Sequence, residues 1–165
     1  MDLDATLTRT NHLNEAVRSL ERALAADPAL DMARLRQGRV LWRLRKYDAA
    51  RAALESVLGR SRDDAMLHLA HLFVARVHHD AGRPDAALRD YRAALRLQPT
   101  SHAAAMGLAD ALQLAGEPEE ARAAVEAALE VSGRRPQPQS FWEYTFGTPG
   151  QATELLDRLR EDVSR

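Results

Sequence analysis

Small and apolar residues recur along the chain in a fixed order: a small residue, an apolar one four places later, then a small or valine residue followed by leucine. The sets are Ala16, Leu20, Ala23, Leu24, then Ala50, Leu54, Val57, Leu58, then Ala87, Tyr91, Ala94, Leu95, and finally Ala121, Val125, Ala128, Leu129. Spacings of three and four place each set on one face of a helix, because the α-helical period is 3.6 residues. Successive leading alanines stand 34, 37 and 34 residues apart, so a unit of about 34 residues repeats. The three surplus residues are assigned to the polar stretch Gly59–Leu67, read as a longer loop.

Turn chemistry falls in the same frame. Gly82-Arg83-Pro84 and Gly116-Glu117-Pro118 each begin five residues before a leading alanine. Glycine supplies the left-handed residue that ends one helix, and proline opens the next. Pro28 and Pro99, preceded by Asp27 and Gln98, mark where the first and third units stop. Each unit therefore reads as a helical hairpin, which cannot bury its apolar face alone. Stacked hairpins form a right-handed solenoid with one concave surface. The expectation is seven or eight helices and no β-sheet. Met1–Thr10 is shorter than a full first helix, so the chain starts with a half-unit or forms the end of a longer array.

On these residues the chain resembles the tetratricopeptide-repeat family over about residues 3–132, with units of about 1–30, 31–64, 68–101 and 102–132. The best-matching unit is His68–Pro99, where Ala87, Tyr91, Ala94, Leu95 and Pro99 are all in place. The family's Leu-Gly pair appears as Gln37-Gly38, Val74-Ala75 and Leu108-Ala109, and its first-helix Trp as Arg34, His71 and Ala105. The resemblance implies an all-α solenoid that receives its ligand on the first helices. On that face it puts Met32, Leu35, Arg39, Trp42 and Arg43 in unit two. Unit three offers Leu69, Leu72, Arg76 and His79, and unit four Met106, Asp110 and Gln113. The family's carboxylate clamp of Lys and Asn is not matched, since Leu35, Arg39 and Phe73 stand at those places. What remains is an expected apolar floor of Leu35, Leu72, Met106 and Trp42, with Arg39, Arg43 and Arg76 supplying charge. The plainer reading of these arginines is an ordinary solvated surface.

After Ser132 the period stops. Residues 133–140, Gly-Arg-Arg-Pro-Gln-Pro-Gln-Ser, read as an extended connector. Residues 141–165 follow as an aromatic segment and a C-terminal helix. Phe141, Trp142, Tyr144 and Phe146 are four of the eight aromatic residues in the chain. Thr148 suits an N-cap, with Pro149 at the first helical position and Gln151 completing a capping box. Ala152, Leu155, Leu156, Leu159 and Val163 form one stripe at helical spacing. The expectation is a cap on the solenoid. The competing reading puts the aromatics in a groove, in this or a neighbouring molecule, or in a dimer seam.

Composition narrows the function. The chain has 165 residues, a formal net charge of -1 and a pI near 6.6, which gives no basic footprint for nucleic acid. Cysteine is absent, removing disulfides, thiolate nucleophiles and cysteine-held metals. No apolar run approaches the roughly 20 residues of a membrane span, so no membrane insertion is expected. The Ala, Arg and Leu bias fits a GC-rich, bacterial-type source. His68, His71 and His78 share a helix face and could bind zinc, although His71 and His78 occupy places where the resembled family packs a Trp and a Tyr. No nucleophile with a positioned base and no phosphate-binding glycine loop is visible. The sequence reading is therefore a non-enzymatic adaptor without cofactor, holding a protein or peptide with acidic and apolar side chains. The alternatives are a self-associating module whose tail docks in another copy, and more remotely a histidine metal site. The expected location is the cytoplasm, or the periplasm if an export signal has been removed.

Overall fold

The computed structural model describes residues 3–134. They form seven helices: α1 (Leu3–Ala26), α2 (Asp31–Arg43), α3 (Tyr47–Leu58), α4 (Asp64–Asp80), α5 (Pro84–Leu97), α6 (His102–Leu114) and α7 (Pro118–Arg134). Among the described residues there is no strand, and no helix is long and apolar enough to cross a membrane. Consecutive helices pack against one another throughout, so the architecture is an all-α helical solenoid of stacked hairpins. The connector from residue 135 onward, the aromatic segment and the C-terminal stripe lie outside the described residues. Gly133 and Arg134, assigned to the connector, are the last residues of α7.

Three hairpin turns share one hydrogen-bond pattern. Arg45 donates its amide to the Trp42 carbonyl and Lys46 to Leu41 (2.8 and 2.9 Å); Gly82 and Arg83 repeat this toward His79 and His78 (both 2.9 Å), Gly116 and Glu117 toward Gln113 and Leu112 (3.1 and 2.9 Å). The central residue is left-handed each time, with φ of 71° at Gly82, 82° at Gly116 and 59° at Arg45. Pro84 and Pro118 start the following helices, as expected. The starts of α4 and α6 are capped by side chains: Asp63 accepts from the Ala65 amide at 2.8 Å, and Ser101 from the Ala104 amide at 3.3 Å.

The repeated small residues are points of close helix approach. Ala50, Ala87 and Ala121 are completely buried. A Cβ on Gly38 would sit 2.5 Å from Leu54 Cγ and 3.2 Å from the Ala50 carbonyl oxygen, and a Cβ on Gly107 would overlap the Tyr91 ring. Two apolar cores result. One joins α1 to α4 through Val17, Leu35, Leu54, Leu69 and Phe73; the other joins α4 to α7 through Leu72, Tyr91, Leu108, Leu112 and Val125.

One expectation is corrected. The surplus residues do not make a long loop: 64–67 are the first turn of α4, nucleated by the Asp63 cap, leaving only Gly59–Asp63 as connection. The first unit is one helix, α1, which runs without interruption from Leu3 to Ala26. The sequence there, Thr8-Arg9-Thr10-Asn11-His12, holds no Gly or Pro to break a helix.

Candidate protein-binding face

The first helices α2, α4 and α6 touch one another along the stack, and the second helices share no comparable contact. A stack drawn together on one side curves toward that side, so α2, α4 and α6 carry its inner face. The residues predicted to line a groove do lie on these helices, but with different fates.

Leu35, Leu69 and Leu72 are core residues, with 1%, 6% and 0% of their surface exposed. The expected floor of Leu35 and Leu72 is thereby overturned. Each first helix has neighbours on several sides, so its apolar stripe is used up inside the stack. What reaches the surface is Met32, with half-buried Trp42 and Met106. Arg43 is exposed, whereas Arg39, Arg76, His79 and Gln113 are half-buried. Burial, and then the neighbouring charge of Arg43, hold the Arg39 guanidinium below its ordinary value.

Polar contacts run across these helices. Trp42 of α2 donates its indole N–H to Asp80 Oδ2 at the end of α4, at 2.7 Å. The Arg76 guanidinium, one turn earlier in α4, lies 5.4 Å from the Trp42 ring centroid, a cation–π distance. His79 Nε2 stands 3.5 Å from Asp110 Oδ2 on α6. Trp42 and Asp80 also line a cavity of about 450 Å³ together with Leu13, Arg43, Arg45 and Tyr47. Arg45 donates its Nε–H to the Tyr47 hydroxyl at 3.1 Å.

Asp80 and Arg45 were not among the predicted site residues. Arg45 left a signal: it stands five residues before Ala50, where the other two hairpins have glycine. Asp80 left none, because its meeting with Trp42 joins residues 38 apart in sequence.

Three of the four histidines of α4, His68, His71 and His78, meet polar groups of α5. His68 Nδ1 faces the Ala94 carbonyl at 3.0 Å in the core. His71 Nδ1 is 2.8 Å from Asp90 Oδ1, and His78 Nε2 is 3.9 Å from Asp90 Oδ2. His71 and His78 thus sit between α4 and α5, joined by an α5 carboxylate that spacing within α4 could not reveal. Burial pushes His78 below its ordinary value, with Asp90 opposing and Arg83 and Arg51 assisting.

Sequence profiles of the tetratricopeptide repeat match residues 7–65, 35–73 and 78–141. No curated protein matches the chain by sequence. Among solved structures it is similar to a crystal structure of MamA, at 17% identity and a TM-score of 0.66, covering 99% of this chain and 96% of that one. It is also similar to MamA residues 41 to the end from Desulfovibrio magneticus RS-1, at 18% identity and 0.66, covering 79% and 72%. A MamA structure of MSR-1 gives 22% identity and 0.62, covering 81% and 82%. At such identities the likeness speaks for the fold. With the repeat spacing, the shared turns and the buried alanines, the matching profiles establish that this chain belongs to the tetratricopeptide-repeat family.

Proposed function

We propose that the chain is a protein-interaction module whose inner face grips a partner polypeptide at the cavity lined by Trp42, Arg43, Arg45 and Asp80. Arg45 is the observation that carries this reading. A left-handed arginine costs about 1–2 kcal/mol relative to a relaxed backbone, and the equivalent turns avoid that cost with glycine. Strain kept where a relaxed alternative exists points to function, and here it holds a guanidinium at the rim of the cavity.

The partner segment brings an apolar or aromatic side chain to Trp42 and carboxylates to Arg43 and Arg45. With Leu35 and Leu72 in the core, Trp42, Met32 and Met106 are left as apolar contacts. Exposed arginine pairs are worth about 0–1 kcal/mol each, and a desolvated Trp anchor about 2 kcal/mol or more. The aromatic therefore sets affinity, and the arginines set selectivity and salt dependence. The reading contains no catalytic step.

Panning a displayed peptide library against the full chain tests it. Enriched peptides should combine acidic and apolar residues. Trp42→Ala should weaken them about 30-fold and Arg43→Ala less than about fivefold, with moderate further weakening at high salt. Equal affinity for all variants would place the binding elsewhere.

A further inference from the structure

Among the described residues, the first repeat leaves uncovered a surface that the other repeats bury. In units two to four the leading alanine and the apolar residue four places on are buried beneath the first helix of their own hairpin: Ala50 with Leu54, Ala87 with Tyr91, Ala121 with Val125. Ala16 and Leu20 hold the same places in α1 and are only half-buried, because α1 continues straight where a hairpin would have turned. With Leu13 of α1 and Val40 of α2 they line a cavity of about 360 Å³, edged by Arg36, Arg39 and Arg43. The equivalent space in the later units, between one second helix and the next unit's first helix, is filled by a helix. The site is therefore a seat for a helix, apolar below and cationic at the rim.

We propose that the occupant is this chain's own segment 149–163, folded back onto α1 and α2. Its stripe of Ala152, Leu155, Leu156, Leu159 and Val163 has helical spacing. Small Ala152 suits close approach to Ala16, as Gly38 approaches Ala50. The segment carries Glu154, Asp157, Glu161 and Asp162 against Arg158 and Arg160, and this acidic excess complements the arginine rim. A carboxylate near Arg39 and Arg43 also relieves the mutual repulsion of those two guanidiniums.

Length permits the return. A stretch as long as residues 135–147 can span at most about 45 Å, whereas helices spaced 8–10 Å apart put the first unit about 30 Å from the last. A tether of this kind gives an effective concentration on the order of 1 mM, so the chain's own segment outcompetes that of a second copy in dilute solution. The seat adjoins the Trp42 cavity, sharing Leu13 and Arg43, and its filling does not depend on that cavity binding a partner.

The chain has no cysteine, so a reporter pair can be placed cleanly in the full-length protein. Ser19→Cys at the edge of the seat is combined with Thr153→Cys and a short bismaleimide; the control pairs Thr153→Cys with Ala127→Cys on the exposed side of α7. The Ser19 pair should close within one chain, at monomer mass in sedimentation, and the Ala127 pair should not. Leu20→Asp should lower closure about tenfold or more, since it places a charge on the apolar seat. Should Leu20→Asp fail to fold, Arg43→Glu, an exposed change, should also lower closure. Closure of the Ala127 pair would instead make the segment a cap on α7. Closure only between chains, or none at all, equally overturns the proposal.

Discussion

Replacing Gly107 with alanine tests the packing that fixes the stacking of the third and fourth units. By helix propensity alone, a glycine inside α6 should be improved by alanine, by about 1 kcal/mol. Tertiary packing opposes this. An added Cβ would overlap Cε1 and Cζ of Tyr91 and come within 2.7 Å of its hydroxyl, and Tyr91 is 1% exposed, with α5 behind it and α6 in front. A planar ring buried at that level has little room to yield, so the overlap should cost about 2–3 kcal/mol, the upper part of the range for overpacking. The expected net result is a loss of about 1–2 kcal/mol, or about 2–6 °C in melting temperature for a chain of this size. Gly59→Ala is the control: its Cβ meets nothing nearer than 3.7 Å and φ is -76°, so it should gain up to about 1 kcal/mol. Circular dichroism during denaturant unfolding measures both. Adding Tyr91→Leu should reverse the sign of the Gly107→Ala effect, because the shorter side chain, matching Leu54 in unit two, vacates the overlapped space. If Gly107→Ala stabilised by the full helix-propensity gain, the proposed contact would be wrong.

Ala87→Leu, at a fully buried position, should cost about 1–3 kcal/mol, while Ala127→Leu on the exposed side of α7 should cost less than about 1 kcal/mol; thermal melts compare them. His78, lowered chiefly by burial, favours the neutral state when folded. Its contribution should therefore make stability decline as pH falls below the ordinary value of 6.5. In His78→Gln, denaturant midpoints across that range should fall less steeply with acid. Trp42→Phe keeps an aromatic ring but loses the N–H that meets Asp80 at 2.7 Å. It should retain more peptide affinity than Trp42→Ala, and calorimetric titration with a panned peptide would show this ranking.

The repeat was legible because it is a local property. Each leading alanine, each Gly-x-Pro turn and each apolar residue four places on acts through its own helix or its own turn, and 34-residue spacing survives in sequence whatever the packing. The hairpins of units two to four, the helix stops before Pro28 and Pro99, and the close approaches at Ala50, Ala87 and Ala121 followed from it. What failed was also local in origin. A polar stretch was read as a loop, yet the Asp63 cap lets residues 64–67 join α4.

The binding face belongs to tertiary structure. A helical stripe says which residues share a face, but not how much of that face its neighbours consume; Leu35 and Leu72 were on the expected helices and vanished into the cores. The meetings of Trp42 with Asp80, His79 with Asp110 and His71 with Asp90 join different helices, so no periodicity within one helix could disclose them. Sequence determined the unit and its period, since hydrogen bonding and helix geometry act within a few residues. Tertiary structure alone decided what remains exposed, since exposure is set by residues far apart in the chain that arrive together only when the units stack.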